Sequence, residues 1–233
     1  MDKSIRNHTV NSNLVAFVPM RHVSERVPEK NYRDFAGKPL YAHILETLLE
    51  CGQITQIVVD TDSEIITQGI AEAYPSVLVL ERPEHLRSDS IPMNDVLLHD
   101  VDQVKADYYL QTHSTNPLLS AQTIKEAIAA FLEKFPTHDS LFTVTELHTR
   151  LWDIEGQPLN HNPRELLRTQ DLPPLFEENS CLYIFERESF LSRKNRIGTN
   201  PLLYPIDRFE ALDIDEQYDF QIAEYVKKYI HGE

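Results

Sequence analysis

Two short stretches of the sequence carry side chains suited to chemistry on a phosphorylated ligand. The first follows the apolar run 14–18 and contains five side chains that can bind phosphate, ribose or base: Arg21, Ser24, Arg26, Lys30 and Asn31. Guanidinium and ammonium groups neutralise phosphate oxygens, while hydroxyl and amide groups form directional hydrogen bonds. This loop therefore predicts a nucleoside triphosphate site. Because Glu25, Glu29 and Asp34 partly cancel its cations, a solvated loop of mixed charge is the alternative.

The second stretch is Asp213-Ile214-Asp215, which precedes a helical pattern at 216–229. Residues two apart lie on the same side of an extended strand, so both carboxylates face one way. Mg²⁺ prefers one or two carboxylates together with phosphate and water oxygens. The pair Asp213 and Asp215 therefore predicts a Mg²⁺ site, and Asp215 could also, or instead, cap the following helix.

The order of apolar runs predicts how these two stretches are positioned. Short runs typical of buried strands alternate with helical patterns in the order strand 14–18, helix 41–50, strand 57–59, helix 63–74 and strand 77–80. Since β-α-β crossovers are right-handed, the expected fold is a doubly wound, mostly parallel α/β sheet covered by helices. Ligands bind such sheets at the carboxyl ends of the strands, where the cationic loop begins.

A further strand, 108–110, runs into a polar segment that contains Gln111 and His113 and ends at Pro117. This segment also falls at the ligand edge of the predicted sheet. His113 has three open interpretations, which are a catalytic base, a hydrogen-bonding residue and a structural histidine.

Composition limits the class of protein. The 233 residues suffice for one domain, which we place at 13–233 after a flexible polar tail, 1–12, without the apolar centre of a signal peptide. A net charge of −15 argues against a nucleic-acid-binding surface, and no apolar stretch approaches membrane-spanning length. The two distant cysteines, Cys51 and Cys181, are most simply reduced thiols of a cytoplasmic protein.

The opening stretch resembles that of the sugar-acid cytidylyltransferases, which are the acylneuraminate (sialic acid) cytidylyltransferases and their Kdo-activating relatives. In this chain the pattern P-x-R-x-x-S, K-N, G-K-P-L consists of Pro19, Arg21, Ser24, Lys30, Asn31, Gly37, Lys38, Pro39 and Leu40. Three later segments are similar to segments of the same family, namely 82–86, 168–173 and the D-x-D at 213–215. The four segments follow the family order and span nearly the whole chain.

The resemblance implies a three-layer, Rossmann-like fold of the nucleotide-diphospho-sugar transferase type. It also implies an inserted arm at about 146–195 that forms a homodimer. The implied reaction joins CTP to a sugar acid, such as a sialic acid-like nonulosonate, and gives a CMP-sugar and pyrophosphate with Mg²⁺ as cofactor.

The resemblance further implies roles for individual residues. Nucleotide contacts fall on Arg21, Ser24, Lys30, Asn31 and Arg82, and the catalytic roles on Arg21, Lys30 and Asp215. Sugar-acid contacts fall on Gln111, His113, Arg168 and Tyr183, with the Arg168 guanidinium meeting the substrate carboxylate. Arg82 could instead be a surface arginine before a turn, and Arg168 a salt-bridged arm residue.

Several positions depart from the family pattern, and these departures indicate a divergent branch. Val23 and Glu25 stand where the family has a glycine and a lysine, and Ser180 replaces the glycine of N-G-A-I-Y. His113 and Leu119 stand in place of a glutamine and an arginine. Two alternatives therefore stay open: activation of a Kdo-type or phosphonate acceptor, and a non-catalytic nucleotide-binding relative.

Overall fold

The computed structural model describes residues 13–231, and the predicted tail at 1–12 lies outside this range. Nine strands are formed: β1 (Leu14–Phe17), β2 (Asp34–Phe35), β3 (Lys38–Pro39), β4 (Gln56–Thr61), β5 (Leu78–Glu81), β6 (Tyr108–Thr112), β7 (Ser140–Leu147), β8 (Leu175–Glu186) and β9 (Pro201–Pro205). Six α-helices accompany them: α1 (Leu40–Leu49), α2 (Glu64–Ala73), α3 (Met93–Gln103), α4 (Ala121–Lys134), α5 (Arg187–Arg193) and α6 (Gln217–His231).

Seven of the strands form one sheet in the order β5-β4-β1-β6-β8-β7-β9, and β2 pairs with β3 in a separate hairpin. β1 runs parallel to both of its neighbours, with Ala16 opposite Ile57 on β4 and Leu110 on β6. β8 is the exception, because it lies between β6 and β7 and is antiparallel to both. The predicted doubly wound, mostly parallel α/β sheet is confirmed.

Helices cover both faces of this sheet, so the fold has three layers. Residues of α1, α2 and α4, including Leu45, Ile66 and Ile128, form a continuous core on one face. Leu97 and Val101 of α3 pack with Phe190 of α5 on the other. Burial of these apolar side chains is the main stabilising contribution to such a fold. Between residues 13 and 231, none of the helices combines the length and apolar character needed to cross a bilayer.

A third, smaller cluster fixes the position of the D-x-D segment. Ile214 is buried against Phe35 of the hairpin and Phe220 of α6. Because Ile214 points into this cluster, its two neighbours, Asp213 and Asp215, are left facing the opposite way. The expectation that both carboxylates lie on one side of an extended segment agrees with this arrangement.

The segment that leaves the sheet is shorter than the predicted arm at 146–195. It runs from 148 to 174, and it contains only an isolated bridge between Trp152 and Pro158 and one 3₁₀ turn, Thr169–Asp171. The remainder of the predicted range returns to the domain, since β8 carries the buried residues Cys181 to Phe185 into the middle of the sheet. Alternating apolar residues on β8 face both covering layers, which explains why this strand is central.

Candidate active site

A pocket of about 470 Å³ opens at the carboxyl ends of β1, β5 and β6. Nine residues predicted from the sequence line it: Arg21, Ser24, Arg26, Lys30, Asn31, Arg82, His113, Asp213 and Asp215. Residues from segments nearly two hundred positions apart therefore meet at one site, at the edge of the sheet where an α/β fold binds ligands.

Hydrogen bonds to neighbouring segments hold the loop after β1 in place. The backbone N–H of His22 donates to Asp62 Oδ1 over 2.7 Å, and Asn31 Nδ2 donates to the Arg21 carbonyl over 2.7 Å. Ser114 Oγ in turn donates to Asn31 Oδ1 over 2.7 Å. Both ends of the Asn31 amide are thus used within the protein. The bond from its N–H to the Arg21 carbonyl holds the backbone at Arg21 in place.

Lys30 lies between the loop and the D-x-D segment. Its ammonium group donates to the Ile214 carbonyl over 2.7 Å. Burial lowers the pKa of Lys30, while the negative charges of Asp213 and Asp215 oppose that effect. Burial also raises the pKa of Asp213, and a hydrogen bond from Thr115 opposes this rise. One cation and two carboxylates therefore share a partly dehydrated corner of the pocket.

The donor set at Asp213 and Asp215 fits a hard divalent cation. Asp213 Oδ1 is buried and accepts no hydrogen bond from the described part of the chain, so one carboxylate oxygen is available as a ligand. Asp215 Oδ1 accepts from Arg26 Nη2 over 2.7 Å in a half-exposed ion pair. Mg²⁺ needs only one or two such carboxylates when phosphate and water oxygens complete its shell.

Arg82 lies at the floor of the pocket and belongs to a buried charged cluster. Only 3% of its side chain is exposed, and its Nε donates to Asp60 Oδ1. Asp60, His99 and Asp100 bring ligand-type atoms within 4.8 Å of one another. The Arg82 guanidinium neutralises only one of the two buried carboxylates in this cluster. We therefore assign one proton to the carboxyl pair. Burial, together with the adjacent Asp60, raises the pKa of Asp100 to about 9.

The other side of the pocket is formed at the end of β6. Gln111 Nε2 lies 2.9 Å from His113 Nε2, and Gln111 Oε1 accepts from Arg196. Burial, followed by the charges of Arg196 and Lys30, lowers the pKa of His113 to about 3. The imidazole is therefore neutral at physiological pH and a weak base, which favours hydrogen bonding over general-base catalysis among its possible roles.

Three predicted substrate residues, Gln111, Tyr183 and Arg168, do not line the pocket, and Gln111 is fully buried. Tyr183 is fully buried beneath the pocket, with its ring 3.6 Å from the Arg196 guanidinium carbon and its hydroxyl bonded to Glu178. Arg168 lies on the segment 148–174, is 72% exposed, and forms two hydrogen bonds to Asp171 at 2.7 Å and 2.9 Å. Within one chain, its guanidinium is already paired.

Sequence reasoning missed Arg196 and the buried pair Asp60–Asp100. Nothing in the local sequence distinguishes Arg196 from Arg193, since both belong to one polar stretch. The strand-to-acid transition at Asp60 is visible in the sequence, but the packing of Asp100 against it depends on how α3 crosses the sheet.

A family model described as Cytidylyltransferase matches residues 15–229. The chain belongs to this family. Its relatives include an N-acylneuraminate cytidylyltransferase of Streptococcus agalactiae serotype V, 28% identical over 88% of this chain and 51% of the relative. They also include a pseudaminic acid cytidylyltransferase of Campylobacter jejuni, 24% identical over 93% of this chain and 97% of the relative. A CMP-N,N'-diacetyllegionaminic acid synthase of Legionella pneumophila is 29% identical over 91% of this chain and 94% of the relative.

Two solved structures show the same fold. CMP:2-keto-3-deoxy-manno-octonic acid synthetase complexed with CTP superposes with a TM-score of 0.70 at 15% identity, covering 94% of this chain and 100% of the other. A 4-diphosphocytidyl-2C-methyl-D-erythritol synthase superposes with a TM-score of 0.64 at 14% identity, covering 93% and 100%. The chain spans about half the length of the N-acylneuraminate cytidylyltransferases that it matches.

Proposed function

We propose that this protein transfers CMP from CTP to a sialic acid-like nonulosonate and releases pyrophosphate. The observation that carries the proposal is the meeting of Lys30 with Asp213 and Asp215 in one pocket at the ligand edge of the sheet. Relatives named for N-acylneuraminate, pseudaminic acid and N,N'-diacetyllegionaminic acid support this class of acceptor.

In this proposal the cationic side of the pocket binds the triphosphate. Arg21, Lys30 and Arg82 neutralise phosphate charge, and Ser24 supplies a hydroxyl in the same loop. Asn31 keeps Arg21 in position through its bond to the Arg21 carbonyl. His113 lines the same pocket and contacts polar groups of the acceptor, and Gln111, buried behind it, positions His113 and Arg196 through its side-chain amide. Most of the rate acceleration then comes from positioning and charge neutralisation.

The reaction forms one bond and breaks one. The anomeric hydroxyl oxygen of the sugar acid joins the α-phosphorus of CTP, its proton is released, and the bond from that phosphorus to the pyrophosphate oxygen breaks. Asp213 and Asp215 would hold Mg²⁺, which supplies charge stabilisation on the phosphate oxygens. Lys30 stays beside the same phosphates through its bond to the Ile214 carbonyl.

We also propose a cytoplasmic homodimer built on the segment 148–174. This segment exposes large apolar side chains, with Ile154 97% and Leu166 89% exposed. Such side chains are typical of a surface that a second copy covers. The buried free thiols Cys51 and Cys181 agree with a reducing compartment. Sedimentation of the wild type and of Ile154→Glu measures the assembly, and an unchanged molecular mass in Ile154→Glu would remove this surface from the interface.

The reaction is tested by pyrophosphate release from CTP and Mg²⁺ with a panel of acceptors. The panel contains N-acetylneuraminic, legionaminic and pseudaminic acids and Kdo, and UTP and ATP replace CTP as controls. Asp213→Asn and Asp215→Asn each remove a proposed metal ligand, so we expect turnover to fall at least about 100-fold. Asp102→Asn, an exposed carboxylate on α3, serves as the matched control. Full activity in both pocket variants would remove the metal assignment, and no release with any acceptor would refute the reaction.

A further inference from the structure

Arg196 presents a charged guanidinium inside the pocket, on a loop that the fold holds rigidly. The loop connects α5 to β9, and the Arg196 backbone N–H donates to Asn94 Oδ1 over 3.2 Å. Two residues later, the Gly198 N–H donates to Ser140 Oγ over 2.8 Å. Asp139 accepts further hydrogen bonds from the end of the same loop. Arg196 is therefore positioned before any ligand arrives.

The surroundings of this guanidinium contain no negative partner. The guanidinium carbon lies over the Tyr183 ring, 3.6 Å from the ring centroid. One N–H donates to Gln111 Oε1, a neutral amide. The nearest carboxylate influence comes from Glu178, which is already bonded to the Tyr183 hydroxyl. In the described part of the chain, no carboxylate lies within ion-pair distance of Arg196.

A buried cation without a counterion is costly, and a bound anion removes that cost. Arg196 has five N–H donors, one of which donates to Gln111 Oε1, so donors are left for a ligand. A planar carboxylate matches two parallel donors of a guanidinium. Gln111 fixes the rotation of the plane, so the remaining donors keep one orientation toward the pocket.

Arg196 lies over a different strand of the sheet from the cationic side chains that are proposed to bind the triphosphate. The loop with Arg21 and Lys30 follows β1, whereas Arg196 lies over Tyr183 on β8, on the other side of β6. Beside it, Ser180 and Asp213 line both the main pocket and a second pocket of about 470 Å³. The neighbouring space has room for a sugar ring.

The geometry points to Arg196 as the residue that binds the carboxylate of the acceptor sugar acid, within its own subunit. This assignment rests on the proposed cytidylyl transfer and adds a residue to its acceptor site. The carboxylate contacts Arg196, whose guanidinium is positioned by Gln111 and Tyr183. The sugar ring extends toward Ser180. Arg168, bonded to Asp171 on the exposed segment, is not needed for this contact in the same subunit.

The test compares acceptors with and without the negative charge. N-acetylneuraminic acid, legionaminic acid, pseudaminic acid, Kdo and the methyl ester of N-acetylneuraminic acid are titrated calorimetrically into the CMP-saturated protein. The proteins are wild type, Arg196→Met, Arg196→Lys and, as an exposed arginine control, Arg164→Met. Turnover is measured separately, with KM for the acceptor and for CTP determined for each variant, and thermal melting confirms that each variant is folded.

We expect Arg196→Met to weaken acid binding and raise acceptor KM at least roughly 30-fold, with KM for CTP changed less than about threefold. The preference for acid over ester should disappear in Arg196→Met and partly return in Arg196→Lys. Wild-type turnover with an unchanged acceptor KM in Arg196→Met overturns the Arg196 assignment and leaves the reaction standing. Binding that depends on Arg196 without pyrophosphate release overturns the reaction and leaves the subsite standing. No binding and no turnover with any sugar acid overturns both.

Discussion

Replacing Asp100 with asparagine tests whether the buried carboxyl pair behind Arg82 holds one proton. Asp100 is fully buried, and neither of its carboxylate oxygens has a hydrogen-bond partner from the described residues while the group is ionised. Asp60 is equally buried, which raises its pKa, but its ion pair with Arg82 opposes that rise. A proton on Asp100 can be donated to the free Oδ2 of Asp60. An asparagine N–H supplies the same donor at every pH.

The sign and size of the effect follow from the pKa of Asp100, about 9 in the folded protein against about 3.9 in an unfolded chain. The proton that Asp100 retains in the folded protein contributes its full stabilisation at pH values below the pKa of the unfolded chain. This stabilisation is lost as the pH rises through the pKa of Asp100 in the folded protein. The loss is at most about 1.4 kcal/mol per pH unit, or about 4 kcal/mol between pH 5 and pH 8. Asp100→Asn has no proton to lose. The free energy of unfolding of Asp100→Asn, relative to that of the wild type, should therefore increase by up to about 4 kcal/mol between pH 5 and pH 8.

Urea denaturation at pH 5, 6, 7 and 8 measures the difference between variant and wild type. His99 is the third member of the cluster, so the series is repeated with His99→Gln in both proteins. Asp60→Asn is the matched amide substitution with the opposite expectation. It deprives the buried Arg82 of its carboxylate and should cost roughly 3–5 kcal/mol. A difference between Asp100→Asn and wild type that stays constant from pH 5 to pH 8 would refute the shared proton.

Two further predictions concern the pocket. Arg26→Gln frees Asp215 from a half-exposed ion pair that contributes at most about 1 kcal/mol. The Mg²⁺ concentration for half-maximal activity should therefore fall by up to roughly fivefold. A higher Mg²⁺ requirement in Arg26→Gln would contradict this prediction. Ser180 has a φ of 59°, in the left-handed region that favours glycine. Ser180→Gly should therefore raise the free energy of unfolding by about 1 kcal/mol, measured by urea denaturation. Lys194→Gly, at φ 55° on a helix end, is the control, and stabilisation of Lys194→Gly alone would show that Ser180 is not strained.

The strands of the parallel half were predictable because their apolar runs are short and bounded by polar segments. Leu14–Phe17 and Gln56–Thr61 match their predicted positions closely. The N-cap of α2 is Ser63 rather than the preceding Asp62, because Ser63 Oγ accepts from the Ile66 N–H. Asp62 is used instead to anchor the loop after β1.

What could not be predicted depends on contacts distant in sequence. The insertion of antiparallel β8 between β6 and β7 follows from pairing across more than seventy residues, for which local patterns carry no signal. The same holds for Arg196, whose position depends on Tyr183 beneath it. Ser180 shows the reverse case. The resemblance marked it as standing in place of a glycine, and its backbone indeed retains a conformation that favours glycine.

The ends of the segment 148–174 are held together by the sheet itself. Leu147 and Leu175 are direct partners in the β7–β8 ladder, so the chain leaves and re-enters the domain at one point. The segment can thus be lengthened, shortened or exchanged at this junction while the β7–β8 ladder is kept. An engineer can use the same junction. A two-residue type I′ turn, such as Asn-Gly, could close the ladder and yield a minimal scaffold of this fold.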